Sequence, residues 1–66
     1  MHIQLNGQPR QVEDAITIAQ LLDHCGYAQR KVAVEVNQAI VPRSAHASHA
    51  LAEGDTVEVV TAFGGG

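Results

Sequence analysis

Sixty-six residues with a net charge of −3 make one small domain near the lower limit for folding without staples, since a chain of this size buries only about 60% of the surface it exposes when unfolded. Cys25, the sole cysteine, excludes an intrachain disulfide and a cysteine-rich metal centre, and a lone thiol fits a reducing cytoplasm, where we expect the protein to reside. Four cations (Arg10, Arg30, Lys31, Arg43) and two aromatics (Tyr27, Phe63) are too few for a nucleic-acid surface, no apolar run reaches the ~20 residues of a membrane span, and Met1–Leu5 lacks the basic and apolar regions of a signal peptide.

The first segment alternates Ile3 and Leu5 with His2, Gln4 and Asn6, the period-two pattern of a half-buried strand. Asn6-Gly7 follows as a hairpin turn, because both residues tolerate positive φ. The return strand is expected over residues 8–12. Pro9 has no amide to donate to a ladder, so this strand belongs at a sheet edge.

A helix begins at Thr17. Thr17 and Gln20 form the T-x-x-Q capping box, and Ile16 with Leu21 can make the hydrophobic staple around it. Ile18, Leu21, Leu22 and Cys25 fall at i, i+3, i+4 and i+7, one apolar stripe. Cys25 therefore reads as a small core residue and not as a reactive thiol, which would need a cationic setting to lower its pKa. Gly26 ends the helix as a left-handed cap, with Tyr27 free to fold back on Leu22.

Val32, Val34 and Val36 alternate with Ala33, Glu35 and Asn37 as the next strand. Ile40-Val41 is a short edge piece stopped by Pro42. Ser44 is expected to cap a single helical turn through Ala50. His46 and His49 stand three apart there, but without a third ligand they read as a solvated polar face and not as a metal site. Glu53-Gly54-Asp55 is a turn. Residues 56–61 form the last strand, with Val57 and Val59 on one face and Val60 sharing the other with Glu58. The whole is expected to be an α+β domain over residues 1–61, with a mixed four- to five-stranded sheet and one main helix packed on one face.

Residues 62–66, Ala62-Phe63-Gly64-Gly65-Gly66, read as a flexible C-terminal tail. Glycine loses more backbone freedom on fixing than any other residue and has no side chain to pack. Gly64, Gly65 and Gly66 therefore make a thin strand able to thread a passage that a Cβ would block. Ala62 and Phe63 at its root, together with Val60, are the candidate partner interface.

The assembled pattern resembles the sulfur carriers of the thiamine pathway, the ThiS family of ubiquitin-like β-grasp proteins. The residues that carry this are Ile3–Gly7, Thr17–Leu22, Val32–Asn37, Ile40–Ser44, Leu51–Asp55, Val57–Val60 and Ala62–Gly66, almost the whole chain. The resemblance implies that the chain is not itself an enzyme: it has no catalytic residue, no metal site and no stably bound cofactor. A partner adenylyltransferase of the ubiquitin-activating type, using ATP and Mg²⁺, would adenylate the Gly66 carboxylate. A sulfur donor would then displace AMP and leave a thiocarboxylate, which would deliver its sulfur to a thiazole synthase. The tail is expected to be exposed without processing.

Two related readings remain at this level. The molybdopterin-synthase sulfur carriers end in a glycine pair on the same fold, although their tails tend to be approached through a proline where this chain has Thr61-Ala62-Phe63. A ubiquitin-like modifier would use the same adenylation and then join Gly66 to lysines of other proteins. Isopeptide-linked ladders in a cell extract would mark the modifier, and a free thiocarboxylate would mark the sulfur carrier.

Overall fold

The computed structural model describes residues 1–61, so the expected tail lies outside the described residues. Strand β1 (His2–Leu5) turns through Asn6 and Gly7 into β2 (Gln8–Gln11). Leu5 pairs with Gln8, leaving a two-residue loop, and both loop residues have positive φ, 50° and 81°. That is the signature of the hairpin turn whose twist matches the flanking strands. β2 is fully exposed and lies at the sheet edge, with Pro9 opposite Gln4, as expected for a strand that contains proline.

Helix α1 (Ile18–His24) starts at Thr17 with both halves of the capping box formed: Gln20 N donates to Thr17 Oγ1 (3.2 Å) and Thr17 N to Gln20 Oε1 (2.9 Å). The two amides before Gln20 go elsewhere. Ile18 N donates to the His49 carbonyl (3.0 Å) and Ala19 N to the His46 carbonyl (2.9 Å). All the amides that a helix start leaves without an intrahelical partner are thus accepted, and the helix is fastened to the segment 43–50. Its other end closes as a Schellman motif: Tyr27 N reaches the Leu22 carbonyl (2.8 Å), Gly26 N reaches that of Asp23 (3.3 Å), and Gly26 takes φ 83°.

β3 (Val32–Val36) and β4 (Ala39–Val41) form a second hairpin, and β5 (Thr56–Thr61) ends the described chain. The sheet order is β2-β1-β5-β3-β4, so β4 is the other edge and β5 runs through the middle. β5 is parallel to β1 and antiparallel to β3. The expected mixed sheet thus has five strands. The helix covers one face, and the core between them is Ile3, Ile16, Ile18, Leu21, Leu22, Val34, Val36, Val41, Leu51, Val57 and Val59. Ile18 and Val57 are wholly buried.

Three expectations are corrected. The turn after β4 is a 3₁₀ helix over Arg43–Ala45, capped by Pro42 without any side-chain bond. Ser44 sits inside it instead of capping it, because Pro42, with its fixed φ, already starts the turn. His46 is buried, not solvated, and its Nε2–H donates to the Val41 carbonyl at 3.0 Å. Two consecutive turns, with bonds from His46 N to Arg43 O and His49 N to Ala45 O, roll that ring beneath the segment. Cys25 is the helix C-cap, only half-buried and packed against the core rather than enclosed in it.

Candidate functional site

The candidate site is the end of β5, the strand that directly precedes residues 62–66. β5 carries the chain there between β1 and β3, and Thr61 is level with Val32, the first residue of β3. The strand is anchored from below. Val57 and Val59 point into the core, and Val59 N donates to the Asn6 side-chain oxygen at 2.8 Å. At the start of β5, the Asn37 side-chain amide holds the strand. Its oxygen accepts from Thr56 N (2.9 Å), and its nitrogen donates to Asp55 Oδ1 (3.0 Å), whose other oxygen accepts from Ala52 N (2.9 Å). The root of the tail therefore stands on a strand fixed at both flanks and at its beginning.

Val60 behaves as expected. It is 60% exposed on the sheet face away from the helix. Its partner across the ladder, Ala33, is exposed too. Ile40, at 74%, is the other large exposed hydrophobic residue among the described residues, and the sequence reading missed it. The signal was present: Val34 pairs with the buried Val41, so Ile40 must fall on the opposite face in company with Glu35. Glu35 in turn stands directly across from Glu58, and like charges in that position oppose strand pairing.

The remaining site residues, Ala62, Phe63, Gly64, Gly65 and Gly66, lie outside the described residues. Cys25 ends the helix and lines none of the grooves around Val60. His46 and His49 do not form a ligand set, and no group of three metal-binding side chains occurs among the described residues. Nor is any described helix long and apolar enough to cross a membrane. A groove between the helix and the segment 43–47 is lined by Leu22, Tyr27, Arg30, Val32, Arg43 and His46, among others. A shallower one, formed by Lys31, Val32, Ala33, Arg43, Val60 and Thr61, lies at the tail root.

Comparison with known proteins gives a consistent set of matches. The family model described as "ThiS family" matches residues 3–66. The sulfur carrier protein ThiS of Escherichia coli is 33% identical over 66 residues, covering both chains completely. A thiazole synthase of Magnetococcus marinus is 46% identical over the whole of this chain, which spans only 20% of that protein's length. Among solved structures, the crystal structure of a thiamine biosynthesis protein (ThiS) from Geobacter metallireducens matches with a TM-score of 0.83 and 33% identity, covering 100% of both chains.

Proposed function

The chain belongs to the ThiS family, and from that premise we propose that it is a sulfur carrier for building the thiazole ring of thiamine, with the Gly66 carboxylate as its working group. A carboxylate is a poor electrophile. In the proposed cycle one of its oxygens attacks the α-phosphorus of ATP on a partner adenylyltransferase, and pyrophosphate leaves. Hydrosulfide released by a sulfur donor then attacks the acyl carbon of the mixed anhydride through its sulfur, AMP leaves with the bonding electrons, and the S–H proton is lost to solvent. The product is a thiocarboxylate, which a thiazole synthase consumes. ATP and Mg²⁺ belong to the adenylating partner. This chain supplies the carboxylate, the thin tail and the surface that delivers it.

One observation carries this reading: a domain similar from end to end to a named sulfur carrier places its central strand directly before Ala62-Phe63-Gly64-Gly65-Gly66. The match to one fifth of the length of a protein named thiazole synthase supports a thiazole synthase as the consuming partner, because a domain similar to this one is then joined to a protein named for that activity. The test is incubation of the protein with an adenylyltransferase of the ubiquitin-activating type, ATP, Mg²⁺ and a sulfide source, followed by intact mass. The expected result is the mass gain of sulfur replacing one oxygen, localised to the C-terminal peptide. A protein whose mass and terminal peptide stay unchanged, while the enzyme charges a known carrier in the same tube, would overturn it.

A further inference from the structure

Charge is sorted along this sheet. Val32 pairs with Thr61, Ala33 with Val60 and Glu35 with Glu58, so each step away from the tail is about 3.3 Å of strand. Lys31 directly precedes that first pair, and Lys31 and Arg43, both exposed, line the groove that holds Val60 and Thr61. Arg30 stands with Arg43 on the adjoining groove. Two of the four Lys and Arg residues thus line the groove at the tail root, with Arg30 on the groove next to it. Among the described residues the acids within salt-bridge distance of a basic group are Asp14, beside the N-terminal amine, and Glu53, beside His2, so none of the three is neutralised there.

Of the acids, Asp23 shares the adjoining groove with Arg30 and Arg43, while the groove at the tail root itself holds none; three others lie far from it. Asp55 precedes the first residue of β5, Glu53 bonds His2, and Asp14 bonds the N-terminal amine beyond the His2–Gln11 pair, all at the opposite end of the sheet. Between the two ends, on the open face, come the apolar pair Val60 and Ala33 and then the facing carboxylates Glu35 and Glu58. That last pair opposes the fold it sits in.

We propose that this order (basic collar, apolar step, acidic pair) is a docking code for the adenylating partner under the reading above, on which this inference rests. The partner surface it fits is the complement: acidic around the mouth that takes the tail, apolar one step out, and basic beyond. The collar draws the tail root to the acidic mouth. The two glutamates set the rotation, because they meet a basic group in only one orientation. An apolar centre with a charged rim is the usual anatomy of such an interface, and complementary charge acts mainly on the rate and orientation of encounter.

The test is stopped-flow association of the full-length protein with its adenylyltransferase at low and high ionic strength. Lys31→Gln/Arg43→Gln and Glu35→Gln/Glu58→Gln are each compared with Arg10→Gln, a cation opposite Ile3 and away from the tail root. Both double variants should associate roughly tenfold more slowly at low salt, with the gap closing as salt rises. Arg10→Gln should match the wild type. The glutamate variant should also melt at a higher temperature than the wild type, an outcome that loss of structure cannot mimic. Association of Lys31→Gln/Arg43→Gln at the wild-type rate would overturn the collar. Faster association of Glu35→Gln/Glu58→Gln would overturn the basic outer contact. If the wild-type protein fails to bind the enzyme at any salt, the function proposed above falls, and that failure is distinct from either of the others.

Discussion

The two faces of β5 are built from nearly the same residue and serve opposite ends. Val57 and Val59 lie against the helix, with Val57 wholly enclosed, while Val60, one residue further on, is more than half in water. Local chemistry does not separate them, since all three are β-branched and suit a strand equally well. Phase separates them: successive side chains of a strand alternate between faces, and only one face of this sheet has a helix. A valine on the covered face stabilises the fold. A valine on the bare face adds little to it and remains available to a partner. On the function proposed above, stability and delivery fall to different sides of the same strand, so each should be open to damage without the other.

The sharpest way to break that separation is Val57→Asp. It removes a core contact and buries a carboxylate with no partner, each costing about 2 kcal/mol or more. Total stability for a chain of this length is on the order of 3–10 kcal/mol. Circular dichroism should show a largely unfolded protein at neutral pH, and a cooperative melt near the wild-type temperature would refute the assignment of Val57 to the core. Deleting Gly66 should do the reverse. It draws the carboxylate back by about 3.3–3.6 Å of chain, as much as the ~3–3.5 Å separation of reacting atoms. Adenylation, read as pyrophosphate release, should collapse while the melting curve is unchanged. Normal turnover of the shortened protein would show that the terminal carboxylate is not the working group.

Val60→Asp is the direct counterpart of the first substitution, the same change one residue on and on the other face. Stability should move by no more than about 0.5 kcal/mol, as at other exposed positions. Affinity for the adenylyltransferase should fall about tenfold, because an apolar anchor is lost and a charge is set against the apolar step of the partner surface. Calorimetric titration and thermal melting on one preparation would show both. Equal affinity would move the docking surface away from the open face. A smaller effect belongs to Thr17→Ala, which should cost about 1 kcal/mol. It removes the acceptor for Gln20 N only, because the amides of Ile18 and Ala19 are held by the carbonyls of His49 and His46. A loss well above that in chemical denaturation would mean that Thr17 also holds the 43–50 segment in place.

How far the sequence could be read follows from the range of the interactions involved. The Asn6-Gly7 hairpin, the Thr17–Gln20 box and the Gly26 cap were all legible, because each is decided within a few residues. The second hairpin turn, Asn37 and Gln38 at φ 52° and 71°, was not. Gln38 has no intrinsic taste for that region, and its neighbour Asn37 is held by Thr56 and Asp55 across the sheet. The burial of His46 was hidden for the same reason, since its partner is the Val41 carbonyl and two successive turns aim the ring at it. Of the candidate site, Val60 was legible from strand alternation, whereas Ile40 needed the β3–β4 register. The assignment of chemistry to Gly66 came from resemblance along the whole chain, not from any interaction in the fold.

The least expected effect concerns the one thiol in a protein proposed to carry sulfur. Cys25 would be an obvious rival to the tail if it were a reactive group, so removing it sharpens the division between fold and function. Its position argues against such a role. It caps the helix, with its amide bonded to the Leu21 carbonyl at 3.1 Å, and its side chain packs half-buried against the core. Cys25→Ala removes one small, partly buried group and should cost about 1 kcal/mol or less. Thiocarboxylate formation, followed by intact mass, should proceed at the wild-type rate. A folded Cys25→Ala protein that can still be adenylated but gains no sulfur would show that the thiol takes part in the transfer, and would place a functional group on the side of the molecule assigned here to stability alone.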